Sequence, residues 1–175
     1  LIRAAQGRAF VLCTSLRAMR RIHEVIAEKL EREKLKLPLL IQGEGSRTEL
    51  LDRFRRLGNA ILVASQSFWE GVDVPGDALS VVIIDKLPFA PPDDPVGEAR
   101  AEWLRSVGRD PFNELVIPAT GIKLLQWTGR AIRTEDDHAT VICYDKRLTQ
   151  TSYGKRMLNG LPPYRLEQRQ SRGII

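Results

Sequence analysis

Cysteine, histidine and aromatic residues are all scarce in this chain of 175 residues, which holds two Cys, two His and only 6% Phe, Trp and Tyr together. Cys13 and Cys143 each sit inside an apolar run, with no CxxC or Cys/His spacing around either. That excludes a disulfide scaffold and a zinc module. Both read as small buried thiols in a reducing compartment, which places the protein in the cytoplasm. No apolar run approaches the ~20 residues that cross a bilayer, and no charged region precedes an apolar stretch and a cleavage site, which rules out a membrane span in this sequence and argues against export. Repeats and low-complexity tracts are missing too. The phosphate-binding turn G-x-x-x-x-G-K-[ST] is absent: Gly43-Glu44-Gly45-Ser46 lacks the Lys and puts a carboxylate in the loop. There is no G-x-G-x-x-G, G-x-S-x-G or H-E-x-x-H run. His23 and His138 stand alone and read as surface or cap residues. The chain opens on Leu1 rather than Met, which points to a piece of a longer polypeptide.

What is present is an ordinary globular composition, 43% hydrophobic and 28% charged, with 27 basic against 22 acidic side chains for a net charge of +5. That balance permits a nucleic-acid partner without demanding one. Apolar runs of strand length occur over 9–14, 38–42, 60–64, 80–84 and 139–144. They are too continuous for a half-exposed antiparallel sheet and suit parallel strands covered on both faces. Between them, Met19, Ile22, Ile26 and Leu30 mark one face of a helix over 16–36, and Ser46-x-x-Glu49 is a capping box for a helix with Leu50, Leu51, Phe54 and Leu57. Further helices are expected over 96–107, 118–133 and 150–159, with a basic tail over 161–175 carrying Arg165, Arg169 and Arg172. The pattern predicts an α/β fold, an open and mainly parallel sheet with helices on both faces, whose ligands meet the loops at the carboxyl ends of the strands.

Two segments at such loops carry chemistry. In Gln126-Trp127-Thr128-Gly129-Arg130-Ala131-Ile132-Arg133, helical spacing puts Gln126, Arg130 and Arg133 on one face and Leu124, Leu125, Thr128, Ala131 and Ile132 opposite. Gly129 lies near the polar face, where a missing side chain lets a backbone or phosphate approach. Two forked guanidiniums suit a transferring phosphoryl group. They equally suit a solvated face paired with Glu135, Asp136 or Asp137. In the second segment, 64–76, a strand runs into Ser65, Ser67, Glu70, Gly71 and Asp73 before a Pro75-Gly76 turn, so polar groups gather at the sheet edge. Trp69 reads as a hydrophobic anchor beneath that loop. Asp85, closing a Walker-B-like run, reads as a strand-end carboxylate tied into loop structure rather than a metal ligand, since no phosphate loop accompanies it.

Ser67-Phe68-Trp69-Glu70-Gly71-Val72-Asp73-Val74-Pro75-Gly76 resembles motif V, and Gln126-x-x-Gly129-Arg130-x-Ile132-Arg133 motif VI, of the DinG and XPD family of superfamily 2 DNA helicases. Leu12-Cys13-Thr14-Ser15 resembles motif IV, and Tyr144-Asp145-Lys146-Arg147 with Tyr153-Gly154-Lys155-Arg156 looks closest to the bacterial DinG branch. The resemblance implies that residues 1–160 are a second RecA-like motor domain of an ATP-driven helicase that moves 5′ to 3′ on single-stranded DNA. ATP and magnesium would be held mainly by a first, N-terminal RecA-like domain of the same polypeptide, which in many members also bears an iron-sulfur cluster; neither the cluster nor any metal is expected on this chain. Carried over by motif position, Gln126, Arg130 and Arg133 would approach the nucleotide phosphates, one Arg as the arginine finger. Glu70, Gly71 and Asp73 would couple the nucleotide to the DNA track, these three and Gly129 forming the nucleotide-binding set, and Thr14, Ser15 and Ser67 would meet the DNA backbone. The isolated chain is then expected to hydrolyse no ATP. The rival reading is a stand-alone single-stranded nucleic-acid-binding module, which would need aromatic stacking platforms more than phosphate-directed arginines.

Overall fold

The computed structural model describes residues 2–70, 74, 79–90, 94–132 and 137–169. Five strands, β1 (Ala9–Cys13), β2 (Leu39–Ile41), β3 (Ile61–Ser65), β4 (Val81–Ile84) and β5 (Thr140–Cys143), form one sheet in the order β2-β3-β1-β4-β5, and every pair is parallel. The helices are α1 (Leu16–Arg32), α2 (Arg47–Leu57), α3 (Gln66–Trp69), α4 (Pro95–Ser106), α5 (Ile117–Gly129), α6 (Arg147–Gln150) and α7 (Ser152–Asn159).

Alternation along the strands divides the core in two. Phe10, Leu12, Leu62, Ala64, Val82 and Ile84 point to the face covered by Leu50 and Phe54 of α2, Leu124 and Trp127 of α5, Leu148 of α6 and Met157 of α7. Val11, Cys13, Ile61, Val63, Val81 and Ile83 point to the other face, under Met19, Ile22, Ile26 and Leu30 of α1. Both apolar sets expected from spacing are therefore used, one per face, except that Leu57, at the last turn of α2, is exposed. The Ser46 capping box forms as expected: Ser46 Oγ accepts from the Glu49 amide at 3.2 Å and Glu49 Oε2 from the Ser46 amide at 2.8 Å.

Four expectations change. The first helix, expected over 16–36, ends at Arg32, and Lys34 just beyond it has a positive φ of 52°. The helix over 118–133 is entered through a π-helical stretch, Phe112–Val116, and stops at Gly129. Beyond it the Ala131 and Ile132 amides reach only three residues back, to Thr128 and Gly129, which tightens and ends the coil. The last helix is two, because Thr151 is extended and caps α7 by accepting from the Gly154 amide at 3.0 Å. A side chain at 154 would collide with the carbonyls of Arg147 and Leu148, so glycine lets α7 turn tightly onto α6. The short α3 was not expected at all. The segment 161–169 carries no regular secondary structure, and 170–175 lie outside the described residues.

Candidate functional site

The carboxyl edge of β3 is tied down by polar contacts and by an aromatic anchor. Gln42, which follows β2, accepts at Oε1 from the Ser65 amide at 2.8 Å and from Ser65 Oγ at 2.7 Å, and Ser67 Oγ lies 3.0 Å from Ser65 Oγ. Beneath this, Phe68 and Trp69 of α3 turn inward against Phe10, with ring centroids at 6.2 and 4.6 Å. Trp69 is fully buried and its indole N–H has no hydrogen-bond partner among the described residues, so packing is what retains it there, as expected of an anchor. Ser67 and Glu70 are exposed, Glu70 as the residue that closes α3.

The C-terminal end of α5 comes to the same place. Leu124, Trp127 and Thr128 are buried and fix the helix on the sheet, while Gln126 and Gly129 are exposed. Arg130, just past the helix, donates from its guanidinium to the Trp69 carbonyl at 2.9 Å. The two segments singled out separately in the sequence therefore meet, through a hydrogen bond across 61 positions. A Cβ added at Gly129 would meet nothing within 4 Å, so the bare backbone there is open to an approach from outside this domain. Leu125 does not join the buried side as expected; it is exposed, because the buried stripe of α5 runs through Leu124, Trp127 and Thr128. Gly71, Asp73 and Arg133 lie outside the described residues.

Further along the edge, Thr14 and Ser15 are exposed at the end of β1. The Thr14 amide donates to Asp85 Oδ1 at 3.1 Å and its hydroxyl to Oδ2 at 3.3 Å, while Ser15 Oγ caps α1 by accepting from the Ala18 amide at 3.1 Å. Asp85 thus ties the β4 loop to the β1 loop, as expected for a structural strand-end carboxylate. Burial pushes its carboxyl above the ordinary range, and the hydrogen bonds from Thr14 and Lys86 offset this only in part. Asp145, after β5, behaves oppositely. Burial opposes its ionisation too, but Arg147 and the Leu87 and Arg147 amides all donate to it and draw its carboxyl down to about 2. Cys13 is buried, and desolvation pushes its thiol up to about 12. Cys143, expected to be buried, is half-buried, yet desolvation still raises it to about 11. Neither is a ready thiolate nucleophile.

Sequence reasoning missed two participants, Gln42 and Arg47. Gln42 ends the β2 run, inside a loop that the topology pointed to, but a lone Gln carries no spacing signal. Arg47 opens α2, where it looks like one more exposed cation, yet it donates to the Phe68 carbonyl at 2.6 Å and lies over the Phe68 ring at 5.6 Å from the centroid. Among the described residues, no three His, Cys, Asp or Glu side chains gather closely enough to hold a metal ion. The donor set at this edge is hydroxyls and guanidiniums, which suits phosphate oxygens.

Comparison with known proteins gives a consistent result. Residues 1–164 match the family described as the helicase C-terminal domain. The chain is 50% identical over 163 residues to the ATP-dependent DNA helicase YoaA of Escherichia coli K12, covering 93% of this chain and 25% of that protein. It is 41% identical over 162 residues to the ATP-dependent DNA helicase DinG of the same strain, covering 90% of this chain and 22% of that protein. It therefore spans about a quarter of the length of these curated relatives. Among solved structures, an XPD helicase superposes with a TM-score of 0.61 at 23% identity, over 90% of this chain and 28% of that one. The second domain of the DEAD-box helicase Mss116p, bound to an RNA duplex, superposes with a TM-score of 0.51 at 14% identity, over 83% and 45% of the two chains. These neighbours share the RecA-like fold, which agrees with the open parallel sheet expected from the sequence.

Proposed function

Because the chain belongs to the helicase C-terminal domain family, we propose that it acts as the second RecA-like motor domain of a cytoplasmic, ATP-dependent DNA helicase moving 5′ to 3′ on single-stranded DNA. Residues 1–160 form the motor unit and 161–175 its basic tail. The observation that carries the reading is the hydrogen bond from Arg130 to the Trp69 carbonyl. It joins the segment suited to phosphates to the segment that leads towards the DNA-facing loops.

ATP, bound with magnesium mainly on the N-terminal RecA-like domain, supplies the phosphoanhydride whose cleavage drives movement. This chain's part is to present donors. Arg130, with Arg133, offers forked N–H groups to the phosphate oxygens as charge spreads over them, and Gln126 adds an amide from the last turn of α5. Gly129 keeps the surface beside them low enough for that approach. Glu70, with Gly71 and Asp73, follows directly on the carbonyl that Arg130 holds, so a shift of the guanidinium towards phosphate is felt by that loop. Thr14, Ser15 and Ser67 present hydroxyls along one edge, which suits backbone contacts without base readout.

The test is Arg130→Lys in the complete protein, which keeps the charge but removes the planar fork. DNA-stimulated ATP hydrolysis should fall by about 10³-fold or more while ATP affinity changes far less. Turnover near wild type in both Arg130→Lys and Arg133→Lys would reject the reading and favour a nucleic-acid-binding module instead. Binding of single-stranded oligonucleotides should be indifferent to sequence and weaken steeply with salt, as counterion release requires. Tight binding of one sequence that survives high salt would contradict it.

A further inference from the structure

The four-residue helix α3 is held from two sides. Within so short a helix, the one amide among the described residues that reaches back is that of Glu70, to the Gln66 carbonyl. The last two carbonyls of α3 are taken by guanidiniums from different elements: Phe68 by Arg47 at the start of α2, and Trp69 by Arg130 at the end of α5. Neither grip comes from the strand or helix that α3 belongs to. Arg47 makes the shorter bond, 2.6 against 2.9 Å, and stacks over the Phe68 ring as well, so two interactions fix it. It also starts a helix whose N-terminus is closed by a full capping box, which gives its backbone a firm seat. Arg130 follows the last turn of α5, beside the open backbone of Gly129.

We propose that Arg47 is a positioning residue for nucleotide turnover: it anchors α3 through the Phe68 carbonyl so that Arg130 can exchange the Trp69 carbonyl for phosphate without α3 unravelling. This rests on the proposed role of Arg130. A guanidinium gains more from a phosphate than from a neutral carbonyl, so the exchange favours nucleotide whenever phosphate comes within reach. The carbonyl left behind is then bordered by one that is still held. Without Arg47, both carbonyls lose these guanidinium donors in the same step, and Glu70 loses its fixed starting point.

The experiment compares Arg47→Ala and Arg47→Lys in the complete protein, reading kcat and the KM for ATP under saturating single-stranded DNA together with the thermal midpoint. Lys keeps a donor for the Phe68 carbonyl but not the flat stack on the ring. Expected is a kcat about tenfold lower for Arg47→Ala, the scale of one charged hydrogen bond, with KM within twofold of wild type and partial recovery in Arg47→Lys. A kcat within twofold of wild type in Arg47→Ala would overturn the inference. So would a fall in kcat that tracks KM and the thermal midpoint with Lys no better than Ala, which is the mark of a merely structural contact. Should Arg47→Ala not fold, Arg47→Gln and Arg47→Lys carry the same comparison: Gln retains one donor without charge, so the inference requires its kcat to fall below that of Lys, and equal values for the two overturn it. Failure of Arg47 with Arg130→Lys still inactive removes this inference alone; an active Arg130→Lys removes the proposed function with it.

Discussion

The carboxyl edge of the sheet is built in two ways. On the β2 and β3 side, cations hold carbonyls: Arg47 on Phe68 and Arg130 on Trp69. On the β4 and β5 side, carboxylates hold amides: Asp85 accepts from Thr14 and Lys86, Asp145 from Leu87 and Arg147. The difference is one of exchangeability. A carbonyl is a neutral acceptor, and an arriving phosphate competes with it for a guanidinium on favourable terms. A carboxylate collecting several N–H groups has no such rival, because an incoming anion is repelled by it. The first half is suited to change partners during a cycle and the second to stay as it is, holding the loops after β1, β4 and β5 in register. Asp145 illustrates the second half best, since Arg147 both pairs with it in a forked geometry and covers the Phe89 ring at 4.8 Å.

If that division is right, substitutions in the two halves should separate kinetics from stability. The largest effect belongs to the exchangeable half: Arg130→Lys in the complete protein should lose about 10³-fold or more in DNA-stimulated turnover. Its thermal midpoint should stay within a few degrees, because a lysine at this position can still donate to the Trp69 carbonyl. A midpoint collapse in Arg130→Lys would make this bond a structural strut and erase the comparison.

Next in size is Asp145→Asn in the fixed half. Asparagine has one acceptor oxygen where the carboxylate served Leu87 and Arg147 together, and the Arg147 guanidinium loses its counter-charge. The cost should be about 1–3 kcal/mol of stability, or roughly 2–9 °C in thermal midpoint for a domain of this size. Turnover per folded molecule should remain within a few-fold of wild type. Denaturant unfolding alongside ATPase at low temperature reads both, and an Asp145→Asn variant that is stable but inactive would put Asp145 in the working half.

How much of this edge was legible beforehand differs along the same line. Strands, their parallel pairing and both core faces follow from continuous apolar runs and from helical spacing, signals that repeat every few residues, whereas the strand order does not. Gln126, Arg130 and the loop after β3 were legible because a motif places several polar groups together. Arg47 and Gln42 were not, since their partners, a main-chain carbonyl 21 positions away and an amide 23 away, leave no trace in side-chain identity. The early end of α5 was hidden for a related reason. Residues 130–132 have ordinary helical propensities, and the chain leaves the helix there through three-residue bonds, a choice made by tertiary placement on the sheet. Leu125 was misplaced because the assumed polar face was extended as far as Arg133.

The smallest expected effect is a pH signature that sets the two strand-end carboxylates against each other. Asp145 is held down at about 2, below its ordinary value of 3.8, so it contributes stability that is present above about pH 4 and lost as the pH falls towards 2. Screening at the Arg147 side chain, 42% exposed, trims this to about 1–2 kcal/mol. Asp85 is shifted upwards by burial, so its contribution has the opposite sign: it favours the folded state when protonated and is lost as the pH rises through its raised value. Stability followed from pH 6 to pH 2 should therefore show the gap between wild type and Asp145→Asn closing in acid. The gap between wild type and Asp85→Asn should widen in wild type's favour over the same range, as Asp85 takes up its proton. Parallel curves for the two variants would mean that the two carboxylates share one environment, and the distinction between the halves of the edge would then rest on the arginines alone.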